Sequence, residues 1–442
     1  MCNFFICQET APQFLGEISE TKVRKAHFVL YPKRGGKVLK RLVQSTLAMV
    51  LCTIMLTAQV FAAPKIDIPT VNATGAILME AETGRILWGK NEHEPLAMAS
   101  TTKIMTAILA LESGRMDEMV TTSKKAAAAP KVKLFLAPEE KVRLGDLMLA
   151  LMLESSNDAA VAIAEHLSGS VEDFCMEMTE KAKALGAKNT IFETPNGLDK
   201  GSHQSTPYDL AVITRYALDV PGFIQLTNAR SAHFSSSRRS YALNNKNRLL
   251  DEFQGANGVK TGFTNKAGHC FVGAAKRDGM QLISVVLASG WGPQGRNQKW
   301  VDTKEILSFG FDNYEFEMVV TAETLAGSIP VTRSRSQPVD YVYNYGAKVP
   351  LNKNQKEQVY VELNVPVSIQ APVNPGDNIG MAKVFVGEDF IKEIPLIATS
   401  SATRHDYKTS LEKVLNNYLG LFTKKNVDIV LPEFFAFPEV LP

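Results

Sequence analysis

The chain has 442 residues, of which 45% are hydrophobic and 21% charged, and its formal net charge is +2. This composition is typical of a globular protein with more than one domain and excludes a disordered chain. After residue 62 there is no run of lysine and arginine with interleaved aromatic residues, which excludes nucleic-acid binding as the main function.

The first segment has the pattern of an export signal. An apolar run from 42 to 61 ends in small residues and follows five basic side chains: Lys33, Arg34, Lys37, Lys40 and Arg41. This pattern predicts a secretory signal peptide over 1–62, with cleavage after Ala62, and therefore an exported protein. An uncleaved membrane anchor is the alternative. Cleavage would discard eight basic and three acidic side chains and change the formal charge from +2 to about −3.

The next part of the chain changes from strands to helices and back to strands. Alternating residues around the turn at 82–84 predict a β-hairpin. Apolar residues at helical spacing then predict five helices, at 101–111, 144–153, 159–167, 171–185 and 208–218. From 258 onward, apolar runs separated by turns predict three antiparallel strands, and a helix over 299–307 closes the segment. This order predicts an α/β (α+β) domain over 63–316, with helices packed on an antiparallel sheet.

The remainder of the chain loses the helical period. Short β-rich runs between proline and glycine turns predict a smaller all-β domain over 317–398. In the last segment, 399–442, apolar residues from 406 to 422 fall on one stripe and predict an amphipathic helix. The apolar tail that follows is interrupted by prolines too often to span a bilayer as a helix.

Ser100 and Lys103 form an S-x-x-K pattern at the start of the first predicted helix. Residues three apart on a helix share a face, so the Lys103 amine can reach the Ser100 hydroxyl. A serine needs a base to take its proton before it acts as a nucleophile. The pKa of a free lysine is about 10.4, so Lys103 must be desolvated or lie beside another positive charge to be that base. The alternative is an N-cap serine followed by a surface lysine.

Two further motifs follow along the chain. Ser155 and Asn157 form an S-x-N pattern between predicted helices, where a second hydroxyl can relay a proton to a leaving amine and an amide can hold a substrate carbonyl. Helix capping is the alternative there. Lys260, Thr261 and Gly262 form K-T-G on a predicted strand, where the first two can bind an anion and the glycine permits close approach of a ligand to the backbone.

In this order and structural context the three motifs resemble the active site of the penicillin-recognising serine enzymes. More narrowly, the chain is similar to the serine-type D-alanyl-D-alanine carboxypeptidases, the low-molecular-mass penicillin-binding proteins. The similarity extends to four longer stretches: PEEKVRLGDLMLALMLESSNDAA, TPNGLDKGSHQSTPYDLAVITRYAL, NNKNRLL and IGMAKVFVGEDFIKEIPLIA. The resemblance implies that 63–316 is a penicillin-binding, β-lactamase-like catalytic domain and covers the all-β domain as well.

The resemblance also implies roles for the motif residues. Ser100 would form the acyl-enzyme with Lys103 as its base, and Ser155 with Asn157 would assist protonation and substrate binding. The substrate would be a peptidoglycan stem peptide ending in D-Ala-D-Ala, from which the enzyme removes the terminal D-alanine. β-Lactam antibiotics would be covalent inhibitors. No metal or other cofactor is expected, because the histidines lack ligand spacing.

The anion-binding residues follow from the same resemblance. Lys260 and Thr261 would contact the terminal carboxylate of the substrate. The oxyanion hole would use the backbone N–H groups of Ser100 and Phe263, the latter reached across Gly262.

Two basic residues are further candidates for the substrate-binding site. Arg296 matches a family arginine near the carboxylate site, and Lys246 occupies a position that is basic in some relatives. Exposed salt bridges are the alternative for both. The middle residue of S-x-N, often glycine in the family, is Ser156 here, which can narrow the cleft.

The sequence also allows two other functions and further roles for individual residues. A β-lactamase of similar fold would place a glutamate on a loop, and Glu193 is the one candidate, but TPNGLD matches the carboxypeptidases instead. A non-catalytic peptidoglycan-binding module would not need all three motifs. His203 is a candidate for an extra acid or base or for a structural hydrogen bond. Cys175 and Cys270 can form a disulfide or be two buried apolar residues.

The C-terminal helix has a clear role if the substrate lies in the cell wall near the membrane. An amphipathic helix with an aromatic tail would tether the enzyme peripherally to the outer face of the cytoplasmic membrane. The alternative is that the apolar stripe packs onto the β-domain.

Overall fold

The protein is described by a computed structural model over residues 68–334, 337–353, 357–404 and 407–422. The predicted signal segment and the apolar tail lie outside these described residues. The strands are β1 (Gly75–Glu80), β2 (Ile86–Lys90), β3 (Met119–Thr121), β4 (Lys141–Arg143), β5 (Ser231–Ser235), β6 (Ser240–Asn244), β7 (Ala256–Thr264), β8 (Gly268–Arg277), β9 (Met280–Leu287), β10 (Tyr314–Val320), β11 (Leu325–Ile329), β12 (Val331–Thr332), β13 (Val339–Tyr343), β14 (Ala347–Asn352), β15 (Val359–Asn364), β16 (Ile369–Gln370), β17 (Asn378–Val386) and β18 (Asp389–Ala398). The α-helices are α1 (Lys103–Glu112), α2 (Lys124–Ala127), α3 (Leu144–Leu149), α4 (Asn157–Ser168), α5 (Val171–Ala184), α6 (Pro207–Asp219), α7 (Phe223–Asn228), α8 (Leu249–Glu252), α9 (Gly292–Asn313) and α10 (Tyr407–Phe422).

The first sheet has five strands in the order β2-β1-β9-β8-β7, and each neighbouring pair is antiparallel. Strand β9 is apolar at nearly every position because both faces of the sheet are covered. Helix α6 packs on one face and α9 on the other. Strand β7 lies at the edge of the sheet and contacts the turn that carries Ser100. The predicted arrangement of helices on an antiparallel sheet is confirmed.

Local sequence signals explain where several helices begin. The side chain of Ser170 accepts a hydrogen bond from the N–H of Asp173 at the start of α5. At the start of α6 the side chain of Thr206 accepts one from the N–H of Asp209, and Pro207 occupies the first turn. Side-chain oxygens at these positions satisfy backbone N–H groups that lack a partner within the helix.

Two helices differ from their predicted bounds. The predicted helix over 144–153 is α-helical only as far as Leu149 and continues as a π-helical turn over Ala150–Glu154. Apolar periodicity cannot distinguish these two helix types, since every residue of this segment faces the core or its margin. The closing helix α9 begins at Gly292 instead of 299, because its first turns are polar and exposed and give no apolar period.

The second region consists almost entirely of β-strands. Its main sheet has the order β11-β13-β18-β17-β15, and β10 pairs with β14. The predicted boundary at 317 falls within β10, directly after α9. The two regions meet at Arg85 on the β1–β2 turn: its buried guanidinium donates to the carbonyl of Pro350 and, over 3.2 Å, to the carboxylate of Glu357.

Helix α10 follows the second region of the chain. Among its described side chains, the exposed apolar ones are Tyr407, Leu411, Val414, Leu415 and Tyr418. Within the described ranges, no helix combines the length and apolar character needed to cross a bilayer. Both described cysteines, Cys175 and Cys270, are free and buried, in agreement with the second of the two alternatives above.

Candidate active site

Ser100 lies in a 3₁₀ turn, Ala99–Thr102, that leads directly into α1. Two hydroxyls close this turn: Thr101 donates to the carbonyl of Met98 over 2.6 Å, and Thr102 donates to the carbonyl of Ala99 over 2.8 Å. These bonds occupy carbonyls at the entry to the helix and hold the backbone around Ser100. Lys103, the first residue of α1, follows one turn after Ser100.

The amine of Lys103 is enclosed in the protein and lies beside the Ser100 hydroxyl. Its Nζ is 3.0 Å from Ser100 Oγ, 2.8 Å from Asn157 Oδ1 and 2.5 Å from the carbonyl oxygen of Asn196. Burial, and secondarily the charge of Lys260, hold the pKa of Lys103 well below its usual range. A neutral amine has two N–H groups and one lone pair. The carbonyl oxygens of Asn157 and Asn196 only accept, so a neutral Lys103 would give them its two N–H groups and keep a lone pair that can take the Ser100 proton.

The S-x-N segment contributes Asn157, which binds the Lys103 amine at the start of α4. The π-helical turn ends at Ser155, whose backbone is left-handed with a φ of 65°. Asn157 then begins α4, and its Nδ2 donates to the carbonyl of Pro130 over 3.1 Å while its Oδ1 accepts from Lys103. One hydrogen of this amide nitrogen remains available for a ligand. Ser156, between them, is buried and makes no side-chain cap of α4.

Strand β7 brings K-T-G against the Ser100 turn. A side chain on Gly262 would place its Cβ 2.9 Å from the backbone nitrogen of Ser100, so only glycine permits this approach. Lys260 is 2% exposed, and its Nζ donates to the carbonyl of Thr261 over 3.1 Å. Burial, and then the charges of Lys299 and Lys246, lower the pKa of Lys260 to about 7.

The two weaker candidates have different surroundings. Lys246 forms an ion pair with Glu154, in agreement with the salt-bridge alternative, although its charge still reaches Lys260. Arg296 is exposed on the first turns of α9. Phe263, after K-T-G, is 46% exposed, and its ring centroid lies 4.4 Å from that of His269.

Sequence reasoning missed two contributors from the T-P-N-G stretch. The carbonyl of Asn196 accepts from Lys103, and the Ser100 hydroxyl lies 3.3 Å from the same oxygen. Gly197 has a φ of +85°, and a Cβ there would lie 1.9 Å from the carbonyl oxygen of Ala99. A main-chain carbonyl has no residue-type signature, and only the asparagine–glycine turn indicated that the backbone is constrained here.

His203 forms a hydrogen bond with the turn that carries Ser100. Its Nδ1 accepts from the N–H of Glu193 over 3.0 Å, so its Nε2 carries the proton and donates to the Thr102 hydroxyl, 2.8 Å away. Burial and the charge of Lys103 lower the pKa of His203 to about 4, which keeps the ring neutral. The Glu193 carboxylate accepts from the N–H of Ser202 over 2.6 Å. These contacts favour the structural role for His203.

Comparison with known proteins shows the family of the chain. A family model described as D-alanyl-D-alanine carboxypeptidase matches residues 60–290, and one described as the C-terminal domain of penicillin-binding protein 5 matches residues 314–404. The chain is 31% identical to the D-alanyl-D-alanine carboxypeptidase DacF of Bacillus subtilis over 353 residues, 78% of this chain and 90% of that protein. It is 30% identical to DacC of Escherichia coli over 346 residues, 75% of this chain and 84% of the relative. The crystal structure of penicillin-binding protein 5 from Haemophilus influenzae superposes with a TM-score of 0.64 at 29% identity, covering 76% of this chain and 99% of that one.

Proposed function

This chain belongs to the D-alanyl-D-alanine carboxypeptidase family of serine peptidases, and from that premise we propose that it removes the terminal D-alanine of peptidoglycan stem peptides through an acyl-enzyme on Ser100. The observation that carries the proposal is the buried Lys103 amine, whose Nζ lies 3.0 Å from Ser100 Oγ. A lysine in this state can accept a proton near neutral pH.

In the first half of the reaction Ser100 attacks the carbonyl carbon of the penultimate D-alanine. Its proton passes to Lys103, and the new C–O bond leaves negative charge on the carbonyl oxygen. The backbone N–H groups of Ser100 and Phe263 stabilise that oxygen, because Gly262 lets the two segments meet. The C–N bond then breaks, and the departing nitrogen takes a proton from Lys103 relayed by the Ser155 hydroxyl.

In the second half water hydrolyses the ester. Lys103 takes a proton from the water, the hydroxyl attacks the acyl carbon, and the Ser100 oxygen leaves with that proton. The side chains of Lys260 and Thr261 hold the terminal carboxylate of the substrate during the first half, while the free hydrogen of the Asn157 amide binds a backbone carbonyl of the peptide.

A β-lactam would enter the same pocket and acylate Ser100 when its strained amide opens. A β-lactamase would in addition need a group that activates water rapidly. Glu193, the one candidate for that group, already accepts a hydrogen bond from a backbone N–H.

The exposed stripe of α10 supports a peripheral tether to the outer face of the cytoplasmic membrane. Among its described side chains, those of Tyr407, Leu411, Val414, Leu415 and Tyr418 are apolar, exposed and repeat at helical spacing. Such a helix binds in the plane of the interface and does not span the bilayer. With the predicted export signal, this would hold the enzyme between membrane and wall.

Mass spectrometry after incubation with benzylpenicillin tests the proposal. The parent should gain one covalent adduct, Ser100→Ala should gain none, and Ser231→Ala, at an exposed serine on β5, should match the parent. The parent should then release D-alanine from a peptide ending in D-Ala-D-Ala. An adduct that is rapidly hydrolysed, without D-alanine release, would indicate a β-lactamase instead.

A further inference from the structure

Four basic residues on two adjoining segments form a surface that the proposed reaction does not use. They lie in the loop over 130–139 and in the β5–β6 turn, and we call them the basic rim: Lys131, Lys133, Arg238 and Arg239. In the part of the chain that the structure describes, none of the four forms an ion pair with a carboxylate. The predicted mature chain has a formal charge of about −3, so this local excess of cations does not follow from the overall composition.

The loop over 130–139 is attached to the S-x-N segment at its beginning. The carbonyl of Pro130 accepts a hydrogen bond from Nδ2 of Asn157 over 3.1 Å, and the carbonyl of Val132 accepts one from the Asn157 N–H over 2.8 Å. Lys131 lies between these two residues and is exposed. It is therefore the residue of the basic rim that adjoins the Asn157 amide most directly.

The middle of the loop is held by the buried carboxylate of Asp158, the residue after Asn157. Its two oxygens accept from the N–H of Leu134 over 3.0 Å and from that of Leu136 over 3.1 Å. Phe135, between them, has a left-handed backbone with a φ of 62°, and its side chain is exposed. This conformation is unfavourable for a residue other than glycine, and it is typical of functional sites, where surrounding contacts maintain it.

The β5–β6 turn brings two arginines to the same loop. Nη2 of Arg238 donates to the carbonyl of Pro138 over 2.9 Å, and Nη2 of Arg239 donates to the carbonyl of Phe135. Both arginines are exposed, and these acceptors are neutral carbonyls, so the contacts hold the side chains without neutralising them. Nζ of Lys133 lies 5.6 Å from the centroid of the Phe135 ring. The loop therefore presents cations and an exposed aromatic ring together.

Most acidic side chains near the basic rim are already bound within the protein. Glu140 is buried, and its carboxylate accepts from the hydroxyls of Ser236 over 2.6 Å and Tyr241 over 2.8 Å. Asp158 is occupied by the backbone N–H groups of the loop. Within 130–139 and 236–239, all of which the structure describes, Glu139 is the one exposed acidic residue. This excess of exposed positive charge fits an anionic ligand.

The proposed binding mode leads the substrate toward this surface. Its terminal carboxylate would lie at K-T-G and an internal carbonyl at Asn157, so the residues further from the C-terminus continue past Asn157 toward the loop. Two residues of an extended chain span about 7 Å, which is enough to pass from the Asn157 amide to Lys131. We propose that the basic rim binds an anionic group on the residues that precede D-Ala-D-Ala, and that the enzyme therefore favours acidic stem peptides. This inference rests on the proposed carboxypeptidase function.

The test compares two substrates that differ in charge, N-acetyl-Glu-Glu-Ala-D-Ala-D-Ala and N-acetyl-Gln-Gln-Ala-D-Ala-D-Ala. At about 20 mM salt, kcat/KM for D-alanine release by the parent should be about 5- to 20-fold higher for the acidic peptide, mainly through KM. At about 0.5 M salt the ratio should fall below about twofold, because salt screens exposed charges. Lys131→Gln combined with Arg238→Gln should abolish the preference at low salt and leave kcat/KM for the neutral peptide unchanged.

Two further variants and a second measurement sharpen the test. Lys276→Gln, at an exposed lysine on β8, is the matched control and should keep the preference of the parent. The charge reversal Lys131→Glu should make the neutral peptide the better substrate. Acylation of Ser100 by a penicillin with a carboxylate on its acyl side chain, relative to benzylpenicillin, needs no D-alanine release. This ratio of rates should fall about 3- to 10-fold in the double variant.

Several results would overturn the assignment. One is an equal kcat/KM for the two peptides in the parent, and another is a preference that survives in the double variant. An equal loss for both peptides in the double variant indicates a structural role. If neither peptide is preferred and polyphosphate inhibits the cleavage of both, the basic rim binds an anionic polymer instead of the substrate. A parent that releases no D-alanine from either peptide contradicts the proposed function, and the ratio of the two penicillin acylation rates then tests the basic rim by itself.

Discussion

The side-chain amine of Lys103 lies 3.0 Å from the hydroxyl oxygen of Ser100 and is shielded from solvent by the surrounding protein. This pair sets the first expectation. In Lys103→Met the amine is lost at nearly constant volume, so the rate of Ser100 acylation by benzylpenicillin should fall about 10²- to 10⁴-fold. Time-resolved mass spectrometry measures that rate. Lys124→Met, at an exposed lysine of α2, is the control and should acylate like the parent.

The pH dependence of kcat/KM should be bell-shaped. Lys103 acts as a neutral base, so activity falls on the acid side as it gains a proton. Lys260 binds the carboxylate as a cation, so activity falls on the alkaline side as it loses one, from about pH 7. Bound carboxylate stabilises the cation, so the alkaline limb of kcat should lie at higher pH. If the pH profiles of kcat/KM and of kcat have the same alkaline limb, Lys260 does not bind the carboxylate in this way.

These pKa arguments depend on contacts that the sequence could predict only in part. The i, i+3 spacing placed Lys103 beside Ser100, and chain order with family resemblance brought S-x-N and K-T-G to the same region. Alternating apolar runs predicted the hairpin and the three-strand segment, because side chains alternate between the faces of a strand. These predictions follow from local periodicity.

Other parts of the site had no local signal. The carbonyl of Asn196 acts through the main chain, which is the same for every residue type. Lys299, whose charge lowers the pKa of Lys260, belongs to no motif, and its burial depends on how α9 packs on β8, which is a tertiary contact. The left-handed backbone at Ser155 follows from a π-helical turn that apolar spacing does not distinguish from an α-helix.

Gly262→Ala should separate activity from stability. Its Cβ would lie 2.9 Å from the nitrogen of Ser100 and 3.0 Å from the Cβ of Ala99, so edge strand β7 must move away. A displacement of about 1 Å at the oxyanion site should lower acylation about 10²-fold. Gly279→Ala is the control. Gly279 lies in the β8–β9 turn with a φ of +85°, and an added Cβ there would meet no atom within 4 Å, so this variant should leave acylation unchanged. Stopped-flow kinetics measure the acylation rate, and thermal unfolding measures the stability of each variant. An equal loss of acylation in both variants would contradict the role of Gly262.

His203 should make the protein less stable in acid. Its pKa is about 4 in the folded protein, against 6.5 for a free histidine. The unfolded chain therefore binds the proton more tightly, and the free energy of unfolding falls as the pH drops from about 6.5 to about 4, by up to about 3 kcal/mol. In His203→Gln this component should disappear, whereas His233→Gln, at an exposed histidine, should behave like the parent. Denaturant unfolding at pH 7 and pH 4 measures the difference, and an equal loss in all three proteins would rule out His203 as its source.

Truncation after Thr403 should separate membrane binding from catalysis. The truncated chain lacks α10 and keeps every residue of the proposed active site, so D-alanine release from a soluble peptide should match the full chain within about twofold. It should leave the membrane fraction, since the apolar side chains that would enter the interface are gone. A full-length variant with Val414 and Leu415 both changed to Asn is the matched control, because both residues are exposed and their replacement removes apolar surface without shortening the helix. It should also shift to the soluble fraction. If both proteins fractionate with membranes like the parent, α10 is not the tether.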